Sequence, residues 1–579
     1  MDLNLDLNLF DLNPNADGNL LMISDLEGCP EFDNANTVID ESDPEKKIMQ
    51  VPQTQILCNE STFNSLDKFL KKNDKKNKVA FLGDYFDKGP HVITSINKIV
   101  ELYENNKDQV HIILGNRDVN KLRLIYELDP DKLEKQEITE NTENNLIFKN
   151  EFIKGFIDEK DPFKRLILIL KNTMSAGPPT YDKEKNIALQ IKKIEDDSDD
   201  PTTKEENEKY LAKILVSVFN ETVADKISNR VIDDNDEKFI ENCRKLFEYA
   251  KIVHYDDDFK VLLSHAGGFT NTGSHILSDI NFYDDIINEM GSITNDNYFI
   301  KINETQKKLI KPIIKKENIQ EKSLSEVLKF HNNLLKTSIT DILGKNLQSG
   351  DLPSKEYILL QAMGLNGSDY YSFIASCGLN GGCKLVFNKN EELLKKMQEN
   401  GIKFVASGHQ PHCTTVPLIY KQGDIVFIAN DTSNGYRPEN NTESRTELKL
   451  ENIPLSYIER NTFECGVCAI NDNGNLVKGN DPNNNNPNKN IKAFSKDGKD
   501  PDYYNKLIKI YNNTGSVPTV DDIKQLLKPN SDEQFKPLII MGGKRKSKKH
   551  RYTKNQKKHS NKTKKHRKSK KTCHHCKMH

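Results

Sequence analysis

Residues Val79–Gly89 read VAFLGDYFDKG: four apolar residues, a glycine, and two carboxylates, Asp84 and Asp87, three positions apart. A short apolar run without helical period fits a strand buried on both faces. Such a strand ends where polar residues begin, so Gly83 and Asp84 stand at its carboxyl end. Four other runs stop the same way. NLLMI gives way to Ser24, Asp25, Leu26, Glu27 and Gly28, and VHIIL to Gly115, Asn116, Arg117 and Asp118. FKVLL hands over to Ser264, His265 and Ala266, and IKFVA to Ser407, Gly408, His409, Gln410, Pro411 and His412.

Helical patterns separate several of these runs. Phe63, Leu66 and Leu70 share one helical face, as do Ile93, Ile96, Val100 and Tyr103; residues 391–399 form a third candidate, stopped by Gly401. Strands alternating with helices predict an α/β layered sandwich, and ligands in such folds collect at strand carboxyl ends. Residues 424–431 and 463–476 predict further strands, the latter with hairpin chemistry at Asn-Gly. The chain divides into a flexible acidic N-terminus (1–18), one domain (19–476), an Asn-rich linker and C-terminal extension (477–540), and a disordered basic tail (541–579). Two large insertions, at about 119–255 and 270–400, interrupt the domain.

Charge is unevenly spread. The chain holds 84 Lys+Arg and 86 Asp+Glu, but residues 541–579 contain 17 of the basic residues and none of the acidic ones. Taking those 17 from 84 leaves 67 basic against 86 acidic residues, a net of −19 on the rest. An acidic body with a basic tail is two electrostatic objects on one chain. The longest apolar runs, such as RLILIL at 165–170, fall far short of the roughly 18 residues a membrane helix needs. No membrane association is therefore expected. The acidic start lacks the basic segment and apolar core of a secretory signal, and ten scattered cysteines fit reduced thiols in an intracellular setting.

The strand-end clusters combine hard oxygen and imidazole donors: Asp25, Glu27, Asp84, Asn116, His265, His409 and His412. Such a mixture suits a pair of divalent metals sharing one carboxylate. In order along the chain, SDLEG, GDYFDKG, GNRD, SHAGG and GHQPH resemble the five blocks of the calcineurin-like metallophosphoesterases. The second block looks most like the Ser/Thr protein phosphatase branch. The resemblance implies a metallophosphoesterase sandwich and a phosphorylated substrate. It also implies two divalent ions, Mn²⁺ first, with Mg²⁺, Fe or Zn²⁺ as alternatives. By that likeness one ion is held by Asp25, Asp84 and His412, with Glu27 where the family has a His. The other is held by Asp84, Asn116, His265 and His409. Asp87 matches the structural carboxylate that orients its loop, and Lys88 stands where the phosphatase branch has a phosphate-holding Arg.

Glu27 and Arg117 depart from the family pattern. Arg117 replaces the His that helps protonate the leaving group, and an arginine keeps its proton at neutral pH. It can instead grip phosphate through paired hydrogen bonds. Either Glu27 binds metal and Arg117 binds phosphate, or the two pair with each other and weaken the first metal site. A non-catalytic phosphoesterase-fold scaffold is the alternative function. His91 and His275 have no motif role, Cys465 and Cys468 sit in a strand pattern, and Cys573 to Cys576 end an unstructured tail.

Residues 544–571, nearly all cation with Ser and Thr interspersed, fit nucleic acid or another polyanion bound through counterion release. One aromatic, Tyr552, leaves no stacking platform there. The tail resembles those of proteins from large nucleocytoplasmic DNA viruses, which implies a virion, or the cytoplasm or nucleus of a host. Oligomeric state is not legible in the chain.

Overall fold

The computed structural model describes residues 18–26, 60–72, 76–86, 91–128, 159–173, 201–268, 323–343, 360, 373–374, 391–409, 417–431, 455–461, 465–470, 476–478 and 519. The chain runs through β1 (Asn19–Ile23), α1 (Glu60–Leu70), β2 (Lys78–Phe81), α2 (Val92–Asn105) and β3 (Val110–Ile112). Helices α3 (Asn116–Lys121), α4 (Leu124–Glu127), α5 (Pro162–Thr173), α6 (Pro201–Ser217), α7 (Glu221–Ile227) and α8 (Asp234–Tyr249) precede β4 (Val253–Asp256) and β5 (Val261–Ser264). Next come α9 (Leu324–Leu343), α10 (Glu391–Glu399), β6 (Phe404–Ser407), β7 (Leu418–Gln422) and β8 (Ile425–Ala429). Strands β9 (Leu455–Glu459), β10 (Cys465–Ile470) and β11 (Leu476–Lys478) follow.

These strands form two sheets, ordered β11-β10-β9-β1-β2-β3 and β4-β5-β6-β8-β7. The centre of each is parallel: β1 with β2 and β2 with β3 in one, β5 with β6 and β6 with β8 in the other. Alternation along each strand divides its side chains between two cores. Leu20, Met22, Ala80 and Leu82 meet Val261, Leu263, Phe404 and Ala406 between the sheets. Leu21, Ile23, Val79, Phe81, Leu262 and Val405 join the core formed with the helices. Both faces of these strands are therefore apolar, which is why they read as unbroken runs. The layered α/β sandwich expected from the sequence is the fold observed.

Several helix expectations hold in detail. Val92, Ile96, Ile99 and Val100 of α2 are buried, and Tyr103 stacks on Tyr249 of α8 with ring centroids 4.5 Å apart. Gly401 follows α10 at φ 76°, a conformation that costs a residue without Cβ little. Strands β10 and β11, at 465–470 and 476–478, form the expected antiparallel pair. Strands β4, β7 and β9 were not among the runs recognised in the sequence. The N-terminus, the basic tail, His275 and the Cys573–Cys576 cluster lie outside the described residues.

The two sheets are joined at one edge. Beyond β3, Leu114 N–H donates to Lys251 O at 2.9 Å, and Lys251 N–H donates to Ile112 O at 2.9 Å. Side chains reinforce this seam. His111 Nε2 on β3 donates to Asp256 Oδ2 on β4 at 2.8 Å, and Lys78 Nζ reaches the same oxygen at 2.7 Å. Lys78 also pairs with Asp258, which Arg460 engages as well. The His254 ring lies 4.3 Å from that of His111 and accepts a hydrogen bond from Lys251 Nζ at 3.2 Å.

Burial lowers the pKa of His111 against the opposing pull of Asp256. Burial, then His111 and Lys251, lower that of His254 to about 2. Both imidazoles are thus neutral in the folded protein, whereas an unfolded histidine takes up a proton near pH 6.5. Their contribution to stability is complete above that pH and is lost as pH falls toward the folded-state values. Urea melts between pH 7 and pH 5 should show the dependence weakening in His254→Phe by about 1 kcal/mol per pH unit. An unchanged slope would contradict a neutral, half-buried His254.

Candidate functional site

Four strand ends converge on one point. Asp84 follows β2, Asn116 opens α3 after β3, His265 follows β5, and His409 follows β6. The first pair comes from one sheet and the second from the other. Donor atoms of Asp84, His265 and His409 lie within 4.8 Å of one another. One amide atom of Asn116 stands 3.2 Å from His265 Nε2, 3.1 Å from His409 Nδ1 and 3.3 Å from each Asp84 oxygen. Asp25 adjoins this group, accepting the backbone N–H of His409 at 3.0 Å and the Ser24 hydroxyl.

The backbone is shaped to present these groups. Asp25, Asp84 and His409 have φ of 52°, 57° and 72°, the left-handed region that L-residues other than glycine enter rarely. Three such residues around one point mark a place where local strain serves position. The adjoining glycines make the approach possible. A Cβ on Gly83, itself at φ 95°, would lie 2.4 Å from Gly115 N and 2.8 Å from His265 Nδ1. One on Gly408 would lie 1.6 Å from Ser24 Oγ and 2.1 Å from Asp25 Oδ2.

The donor set fits a divalent cation. His265 Nδ1 donates to Leu82 O at 2.6 Å, which turns Nε2 toward Asp84 and Asn116. Burial lowers the His265 pKa, but the Asp84 and Asp25 charges outweigh it and push it up to about 10. Burial likewise raises Asp84, and His265, then Arg117 and His409, hold it well below the usual carboxylate range. Two imidazoles, an amide and a carboxylate facing one point form a mixed N/O set suited to Mn²⁺, Fe or Zn²⁺.

Asp118 is a residue whose role the sequence reading did not identify. Its carboxylate is fully buried and accepts three backbone N–H groups: Asp84 at 2.9 Å, Tyr85 at 2.8 Å and Gly115 at 2.7 Å. It thereby ties the end of β2 to the start of α3. Burial, then the Asp84 charge, push its carboxyl up to about 7, while the Gly115 and Tyr85 donors pull it down. The available signal was an acidic residue at the third position of a helix opening at Gly115, the arrangement of a capping box.

Arg117 is buried beside this staple, its backbone N–H donating to Asp84 Oδ1 at 3.0 Å and its Nε 3.3 Å from Asp84 Oδ2. Among the described residues its ion-pair partner is therefore Asp84. Glu27, Asp87, Lys88 and His412 lie outside the described residues. An Asp118→Asn substitution turns an NH₂ group toward at least one backbone N–H, however the amide is oriented. Urea melts should show a loss of about 2 kcal/mol, and the Tyr85 amide should lose protection from hydrogen exchange.

No curated protein matches this chain. A solved structure of a cold-active protein tyrosine phosphatase matches it at 12% identity and a TM-score of 0.31, covering 80% of this chain and 81% of that one. A second solved structure, a cold-active protein-tyrosine phosphatase of a psychrophilic Shewanella species, is also 12% identical. Its TM-score is 0.30, and the match covers 80% of this chain and 82% of that one. Residues 19–216 match the family model of the calcineurin-like phosphoesterases, the family that the sequence motifs resemble.

Proposed function

We propose that this protein is a metal-dependent phosphoesterase that hydrolyses a phosphorylated substrate. The observation that carries this reading is the convergence of Asp84, Asn116, His265 and His409 from two sheets onto one point. A divalent ion there, when bound, lowers the pKa of a water and steadies phosphoryl oxygens during in-line displacement. The protein's own residues supply position. His265 is fixed by the Leu82 carbonyl, Asp84 by Asp118 and Arg117, and His409 by its N–H on Asp25. Asp25, Glu27 and His412 complete the proposed metal-binding set, and Mn²⁺ is the proposed ion.

Arg117 and Lys88 are assigned to the phosphate, where fixed cations neutralise charge developing on the equatorial oxygens. Asp87 is assigned to orientation of its loop. Neither Arg117 nor Lys88 releases a proton readily at neutral pH, so leaving groups must depart with little help. Aryl phosphates and phosphoanhydrides are therefore the proposed substrate class. Residues 544–571 are proposed to hold the protein on nucleic acid or another polyanion through salt-dependent contacts.

The test is Mn²⁺-dependent turnover of an aryl phosphate by the full chain. Turnover should fall to background in Asp84→Asn, and its absence from the metal-loaded wild type would favour a phosphate-binding scaffold. The second reading draws on Arg117, which stands where the resemblance expects a proton donor. Alkyl phosphates should be hydrolysed at least about 100-fold more slowly than aryl phosphates, and Arg117→His should narrow that gap. Equal rates on both classes would exclude the leaving-group argument.

A further inference from the structure

We infer that this site holds one divalent ion tightly and that the Arg117 guanidinium takes the place of a second. The inference rests on the metal-dependent reading above and concerns how many ions the residues accommodate. Asp84, the carboxylate that a two-metal arrangement would share, has both oxygens engaged on the Arg117 side. Oδ1 accepts the Arg117 N–H at 3.0 Å, and Oδ2 faces Nε at 3.3 Å. The same Oδ1 faces His265 Nε2 at 3.3 Å, on the side where Asn116 and His409 also converge. Asp25, the other described carboxylate of the second position, already accepts the His409 N–H and the Ser24 hydroxyl.

Charge points the same way. The Arg117 and Asp84 side chains are only 7% and 3% exposed, so solvent and salt screen their interaction weakly. Arginine does not lose its proton in proteins, so its positive charge is permanent. Among the described residues the Arg117 guanidinium stands against the carboxylate of Asp84, with that of Asp25 nearby. A second divalent ion would place two more positive charges beside a buried guanidinium.

Metal counting tests this directly. The full chain, stripped of metal and titrated with Mn²⁺, should bind one equivalent tightly by calorimetry and by elemental analysis after gel filtration. Arg117→His and Arg117→Gln both remove the fixed charge, and each should tighten binding of a second equivalent by about 100-fold or more. Two equivalents of similar affinity in the wild type would overturn the inference and leave the phosphoesterase reading standing. So would a second affinity unchanged in both variants, provided each still binds the first equivalent as the wild type does. No Mn²⁺ bound to a folded wild-type chain would overturn both readings.

Discussion

One buried carboxylate organises the strand ends. Asp118 gathers the backbone N–H groups of Asp84, Tyr85 and Gly115, which belong to loops 30 residues apart in the chain. Without such an acceptor, three buried amides would lack partners at the very place where β2 and β3 must stop. Satisfying them fixes Asp84 in its left-handed conformation and starts α3 beside it. Arg117 completes the circuit by returning its own N–H to Asp84. Local hydrogen bonding, rather than the apolar core, therefore decides where the site's first two groups point.

The apolar core has a complementary part. Because the central strands are parallel and buried on both faces, their carboxyl ends emerge together at one end of the sandwich. Sheet packing brings Asp84 and Asn116 opposite His265 and His409. Glycines then permit an approach that side chains would block, as the contacts around Gly83 and Gly408 make clear. Layered packing sets the coarse distance, and small residues with strained torsions set the final one.

Much of this was legible in the sequence. Strands such as Asn19–Ile23 and Phe404–Ser407 announce themselves because a run with no polar face has to be buried on both sides. Their polar ends identify Asp25, Asp84, Asn116, His265 and His409 by residue type and order. Strands β4, β7 and β9 were not legible: VHYD, LIYKQ and LSYIE are short and mix polar with apolar residues. Their identity depends on the neighbours they pair with. The pairing of Arg117 with Asp84 was obscure for a similar reason. The Arg117–Asp84 contact depends on how α3 leaves Gly115, and Glu27, the opposite charge the chain offered, lies outside the described residues. A carboxylate such as Asp118 shows its role only when three separate amides are seen to point at it.

The seam between β3 and β4 gives the sandwich a mechanical asymmetry. The two sheets are tied most densely along that border, with further bonds such as His409 N–H to Asp25 and Ser456 Oγ to Asn430 Oδ1, while β11 and β7 stand at their opposite borders. A rotation of one sheet against the other would therefore act like a book opening on its spine. Displacements grow with distance from a spine and vanish upon it. Strands β2, β3, β5 and β6, which carry the converging groups, lie within the first few positions of that spine. Thermal breathing of the outer pages would then leave the distances between those groups least disturbed.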